Sequence, residues 1–246
     1  MYTFCIQILS RAMPTPRKSQ CLEDLRMRIL RQDIAPGSDL DEAALCTHYA
    51  LSRTPMREIF QRLAGEGYLQ LSDNRGPKVA SMDLNVMRMF FQTAPMVYAS
   101  TARLAAENRR PDEIETLRGV QTEFRTASEA GDAENAALLN HRFHHQIGVM
   151  AHNPYLLPSL NRMLIDHTRL SQTFYRPTSE DDATRIRTAC DHHELMIEAI
   201  ETQRIDKIVA LTIDHWTLSR DRLERFVAPD PLPIDIPTIK DPTHAI

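Results

Sequence analysis

Apolar residues in the first third of the chain recur at helical spacing and then change period. Between Cys21 and Arg31 they fall at Leu22, Leu25 and Ile29, the i, i+3, i+7 pattern of one helix face. Ala35-Pro36-Gly37 ends that run. Ser38 or Asp39 is placed to cap a short second helix over 41–49, with Ala44 and Leu45 inward. Ala50-Leu51 breaks the pattern again, Ser52 opens a third helix reaching about residue 64, and Gly65 and Gly67 close it. Residues 68–71 then alternate as a strand, 72–76 carry turn chemistry, and 78–80 can pair back as a second strand. Three helices followed by a hairpin predict a winged helix-turn-helix.

After residue 81 the strand signals vanish. Helical periodicity predicts elements over 83–108, 111–130, 132–151, 155–175, 179–203 and 204–227. The breaks fall at Arg110-Pro111, Gly131, Asn153-Pro154 and Arg176-Pro177. Short links between such helices imply an antiparallel bundle. Pro95 interrupts the first of them and predicts a kink. The expected class is mainly α: an arm over 1–19, a winged helix-turn-helix over 20–81, an all-helical domain over 82–228 and a tail over 229–246. Five prolines there predict an extended, mobile tail.

A net charge of −4 does not mark a nucleic-acid binder, so local distribution has to carry any such reading. Residues 1–80 hold 11 Lys/Arg and 9 Asp/Glu, a net +2, which leaves −6 for the remainder. The four cysteines, Cys5, Cys21, Cys46 and Cys190, lack metal or disulfide spacing, which suits a reducing, cytoplasmic compartment. The apolar stretch from Tyr2 to Leu9 is too short to span a bilayer and lacks the order of a secretory signal, so no membrane role is expected. Met13 offers an alternative start.

The third helix divides into two faces. Met56, Ile59, Phe60 and Leu63 cluster on one, while Arg53, Arg57 and Gln61 lie at i, i+4, i+8 on another. Ser52 and Thr54 stand at the helix start, where hydroxyls and unpaired N–H groups can hold phosphate oxygens. Pro55 in the first turn removes no internal hydrogen bond. The two arginines can reach guanine edges or phosphates. Arg75 and Gly76 at the hairpin tip add a cation beside a residue small enough for close backbone approach. Arg17 and Lys18 in the arm can add nonspecific phosphate contacts.

Nine of the ten histidines follow residue 140. Asn140 and His144 share a helix face; His193 lies in a later helix and His215 in the last. Three imidazoles and an amide oxygen converging inside a bundle can hold a divalent metal with positions left open. The alternative is that histidines of this kind are surface or capping residues, and His141, His145, His152, His167 and His192 are read so.

These pieces together resemble the GntR family of bacterial transcription regulators. The matching stretches are Ala35-Pro36-Gly37, Leu51-Ser52-Arg53-Thr54-Pro55-Met56-Arg57-Glu58, Leu63 to Gly67, and Asn74-Arg75-Gly76 before Val79. Beyond residue 82 the chain is similar to the FCD ligand-binding domain of FadR-type members. Asn140-His141-Arg142-Phe143-His144, Ala151-His152-Asn153-Pro154, the run from His193 to Ile200, and His215 carry that likeness. The resemblance implies a metal, zinc or nickel first, held by Asn140, His144, His193 and His215. It also implies a homodimer on a pseudo-palindromic operator, and repression released by a small organic acid.

The departures from the family pattern are local. Ala43 stands where some FadR-type members have a DNA-contacting arginine. Ala94 and Tyr98 occupy positions where the family commonly has Arg and Glu, so Arg103 or Arg169 is the substitute considered for binding the acid. Two rivals remain at this stage: a metal-dependent hydrolase or lyase built on the histidines, and a winged helix that binds protein rather than DNA. The chain has no HExxH motif.

Overall fold

The structure is a computed structural model; it describes residues 17–72 and 76–227, with side chains to 218. Nine helices and two short strands lie among the described residues. Helix α1 (Arg17–Leu30) buries Cys21, Leu22, Leu25, Ile29 and Leu30. It starts at Arg17, so residues 17–19 belong to the helix rather than to an arm, and Lys18 there pairs with Glu58. Residues 1–16 lie outside the described residues, as do 228–246.

Helix α2 (Glu42–Tyr49) is capped by Asp41, not by Ser38 or Asp39. Its carboxylate accepts from the N–H groups of Ala43 (2.8 Å) and Ala44 (3.0 Å). Ala44 is exposed; Leu45, Cys46 and Tyr49 are the residues of α2 that pack on the head's core. Helix α3 (Arg53–Glu66) ends at Gly67, whose φ of 93° closes the helix in the left-handed conformation that glycine tolerates. Strands β1 (Leu69–Gln70) and β2 (Lys78–Val79) then pair antiparallel, Leu69 opposite Val79. The sequence pattern missed a third edge. Ser38 accepts from the Val79 N–H (2.9 Å) and Leu40 donates to the Pro77 carbonyl (2.9 Å), so the Pro-Gly turn is tied to the wing.

The second half is a bundle of α4 (Leu84–Asn108), α5 (Pro111–Glu129), α6 (Ala133–Met150), α7 (Leu156–Phe174), α8 (Glu180–Glu201) and α9 (Ile205–Val227). Asp83, Asp132 and Ser179 cap α4, α6 and α8 through their side chains. Asn153 accepts from the N–H groups of Tyr155 and Leu156, turning the chain into α7. Helix α4 runs unbroken through Pro95 and packs on α9, which brings the first and last helices of the bundle together.

Helix α7 joins the two halves. Its Ile165 belongs to the core of the head, and Gln172 donates to the Leu30 carbonyl (3.4 Å). Arg169 is fully buried here, giving one N–H to the Ala80 carbonyl (2.7 Å) and pairing with Asp166. A buried guanidinium needs such partners, because an unpaired charge out of water costs several kcal/mol. Arg169 is therefore a structural tie between head and bundle, not the acid-binding residue expected of it.

Candidate DNA-reading helix and metal centre

On α3 the core side chains Met56, Ile59, Phe60 and Leu63 are buried, which fixes the opposite face outward. Ser52, Arg53, Thr54, Arg57 and Gln61 are all exposed. Ser52 is the N-cap residue, yet its side chain makes no capping hydrogen bond. The hydroxyl is thus available, and the first-turn N–H groups carry the positive end of the helix dipole. Arg53 has no ion-pair partner among the described residues. Arg57 makes one 3.2 Å contact with Glu42, with 65% of its side chain exposed. Such a surface pair is weak and readily exchanged for a phosphate or a base. Gly76 is exposed; Arg75 lies outside the described residues.

The second constellation is interior. His144 on α6, His193 on α8 and His215 on α9 are buried, and a ring nitrogen from each lies within 4.8 Å of the others. Each carries a buried nitrogen without a hydrogen-bond partner: Nε2 of His144 and His193, Nδ1 of His215. The buried Oδ1 of Asn140 is in the same condition. Leaving such an atom unpaired costs about 1–3 kcal/mol, so four of them need an explanation. Three neutral imidazoles and an amide oxygen suit a borderline divalent ion, and the donor set fits one.

The surroundings prepare that chemistry. Gln121 Oε1 accepts from Nδ1 of His193 (3.0 Å), and its amide donates to the Cys190 carbonyl (3.0 Å). That arrangement leaves the proton on Nδ1 of His193 and a lone pair on Nε2, the atom facing the cluster. Phe143 stacks on the His193 ring at 3.8 Å and 11°, holding its plane. Burial pushes the pKa of His144 and His193 well down, and that of His215 to about 3, with neighbouring histidines adding to the shift. All three are therefore neutral, as a metal ligand must be.

Other residues fall elsewhere than expected. His167 is buried and its Nδ1 meets the Tyr98 hydroxyl at 2.9 Å, so it is neither a surface nor a capping residue. The signal was present, since His167 continues the stripe Leu160, Leu164 of α7. His141 is partly buried against Thr168 (2.8 Å). Gln121 escaped notice because a lone amide carries no motif, and Tyr98, which the sequence marks only as a departure from the family pattern, shows its bond to His167 only in the fold. Arg103 faces solvent, 60% exposed, and pairs with Glu107 one turn along its own helix. It does not reach the cluster and cannot replace the arginine absent at Ala94.

No described helix is long and apolar enough to cross a membrane. Residues 17–79 match the family described as bacterial regulatory proteins, gntR family, and residues 96–218 match the FCD domain. The chain is 24% identical over 199 residues to the galactonate operon transcriptional repressor of Escherichia coli K12, covering 73% of this chain and 84% of that one. It is 28% identical over 125 residues to the Nta operon transcriptional regulator of Aminobacter aminovorans, a match spanning 51% of this chain but 59% of that protein. Among solved structures, E. coli McbR/YncC shares the fold with a TM-score of 0.73 at 17% identity, covering 87% of this chain and all of that one. The family and these relatives are transcription regulators, which sets aside the enzyme reading. The chain belongs to the GntR family of DNA-binding transcription regulators, with a gntR winged helix followed by an FCD domain.

Proposed function

We propose that the protein is a cytoplasmic repressor that binds a pseudo-palindromic operator as a homodimer and is released by a small organic acid. Each protomer sets α3 in a major groove, the two half-sites one helical turn apart. Arg53 and Arg57 read bases or phosphates, Ser52 and Thr54 hold phosphate at the helix start, and Arg75 and Gly76 of the wing approach the minor groove. The DNA-binding head corresponds to residues 20–81 together with the start of α1, and the sensing domain to 82–228.

Within the sensing domain, Asn140, His144, His193 and His215 hold a divalent metal, zinc or nickel before others. When bound, that ion supplies a fixed positive charge and a cross-link between three helices. Gln121 and Phe143 hold His193 in the tautomer and plane that its role requires. The observation that carries this reading is the convergence of unpartnered, buried histidine nitrogens from α6, α8 and α9.

Two measurements test it. In gel shifts on DNA flanking its own gene, Arg53→Ala and Arg57→Ala should each weaken binding by about 1–3 kcal/mol, a loss of roughly 5- to 150-fold. Unchanged affinity in both variants would remove α3 as the reading element. Metal content should fall from one ion per chain to near zero in His193→Ala and His215→Ala. Content unaffected by both would dispose of the site.

A further inference from the structure

His144, His193 and His215 are buried, so an ion bound by them needs a way in from solvent. Of three cavities that border the bundle, none pairs an uncommitted carboxylate with an imidazole. The cavity between head and bundle is lined by His141 and His145, but also by arginines 26, 142 and 162. Its carboxylates, Glu23 and Glu66, are both engaged by Arg26. Nδ1 of His141 is taken by Thr168 and that of His145 by Asn161, both at 2.8 Å. The groove between α1, α5 and α6 carries Arg31, Arg142, Glu123 and Asp132 but no histidine. Glu123 is paired there with Arg142. The cavity beside His144, about 10 Å³, has no charged side chain in its lining. Its Thr101 and Thr212 hydroxyls donate to helix carbonyls.

The seam between α8 and α9 is different. His192 precedes His193 on α8 and Asp214 precedes His215 on α9, so each stands next to one of the clustered histidines. His192 is half-buried, and its ring centre lies 5.9 Å from that of His215. The His215 ring is in turn 4.7 Å from that of His193. Nδ1 of His192 is buried and has no hydrogen-bond partner. Burial lowers the pKa of this ring, and the charges of Asp214 and Asp191 beside it oppose that shift. Asp191 is held by Arg125 at 2.9 Å. Asp214 is exposed and makes no ion pair among the described residues. A file of imidazoles therefore runs from the half-buried His192 to the buried centre, with an unpaired carboxylate at its outer end.

We infer that His192 and Asp214 form an entry site that captures a divalent cation at the surface and passes it to the buried histidines. The inference rests on the reading that Asn140, His144, His193 and His215 hold such an ion. The Asp214 carboxylate draws the hydrated cation to the seam, because a lone negative charge raises the local cation concentration. The free nitrogen of His192 then replaces part of the hydration shell, and His215 lies next in line. Two donors are too few to compete with the four inside, so the entry site holds its cation only in passing. His192 and Asp214 thus set the rate of loading and release, whereas the inner donors set the affinity.

The test follows Ni²⁺ loading of metal-free, full-length protein in stopped flow. Arrival is read by quenching of Trp216, the chain's only tryptophan and the neighbour of His215. Uptake should be about tenfold slower in His192→Ala and in Asp214→Asn, the lower end of what a focused charge contributes to association. Asp214→Glu should stay within about threefold of wild type. Removal by excess chelator should slow by the same factor, because one passage serves both directions, so Kd should move by less than about threefold. Added salt should narrow the gap between wild type and Asp214→Asn. Circular dichroism checks the fold, and His192→Gln, which keeps most of the side-chain volume, stands in if the alanine variant does not fold. Uptake at the wild-type rate in the His192 and Asp214 variants would overturn the entry site. So would faster release with a weakened Kd, which would make His192 a ligand or a support for one. The metal reading fails separately: wild type that takes up no ion, or His215→Ala that loads as wild type does, removes the centre and its entry site together.

Discussion

The face of α3 and the histidine cluster place their functional atoms in opposite ways. On α3 the residues come from one short stretch, stand in solvent, and owe nothing to distant parts of the chain except the core that holds the helix down. In the cluster they come from three helices, with His144 and His215 71 positions apart, and all are buried. On the proposed reading, a change on the exposed face of α3 should alter affinity for DNA and little else. A change in the cluster alters folding as well, because a buried polar group left unpaired destabilises the whole bundle.

Acid should expose that difference most strongly. Burial lowers the pKa of His144 and His193 well below its ordinary value, takes His141 and His167 to about 4 and His215 to about 3. In the unfolded chain these groups take up protons near pH 6.5, whereas in the fold they remain neutral. The unfolded state then binds more protons, and stability falls as pH drops below about 6.5 toward the folded values. Each group contributes up to about 1.4 kcal/mol per pH unit, so five together rival a typical total stability of 5–15 kcal/mol. Metal-free protein should unfold between about pH 6.5 and 5, monitored by circular dichroism, with uptake of several protons. A fold that persists at pH 4 without metal would contradict the burial of these rings.

Next in size is Phe143→Ala, which removes a fully buried ring stacked on His193. It should cost about 3–5 kcal/mol in denaturant melts. Operator affinity, measured where the variant is still folded, should change far less; a large loss of DNA binding in folded protein would mean the two regions are more tightly coupled than their geometry implies. Gln121→Leu keeps most of the volume but removes the acceptor for His193 Nδ1. Metal affinity in a chelator competition should fall about 10- to 100-fold, the usual effect of losing a partner behind a ligand. Recovery toward wild type in Gln121→Glu, which retains an acceptor, would separate positioning from packing. The smallest effect belongs to Arg103→Ala, which should shift stability by at most about 0.5 kcal/mol and leave effector response unchanged. A lost response would restore Arg103 to the sensing machinery.

Where the sequence reading succeeded, local chemistry was enough. The apolar side of α3, the Gly67 terminus and the bundle breaks at Gly131 and Asn153-Pro154 each depend on residues within a few positions of one another. Errors arose where the deciding partner is remote. Asp41 took the cap from Ser38 and Asp39 because the chain at 38–40 pairs with β2 instead. Arg169 is a candidate acid-binding residue by sequence, but helix α7 lies across the head and sets it against Ala80 and Asp166. His167 passed for a surface residue although its α7 stripe pointed inward.

By itself, then, the sequence determined the order and nature of the elements and the outward face of α3, and through the family resemblance it supplied the four residues proposed as metal ligands. Period, capping and turn residues act over one or two helical turns, and they are readable without a fold. Only the tertiary structure decided that His144, His193 and His215 share one buried centre and that Gln121 sets the proton on one of them. Those outcomes depend on how helices far apart in the chain pack together. Burial, charge balance and free volume are properties of that packing, and no stretch of sequence carries them alone.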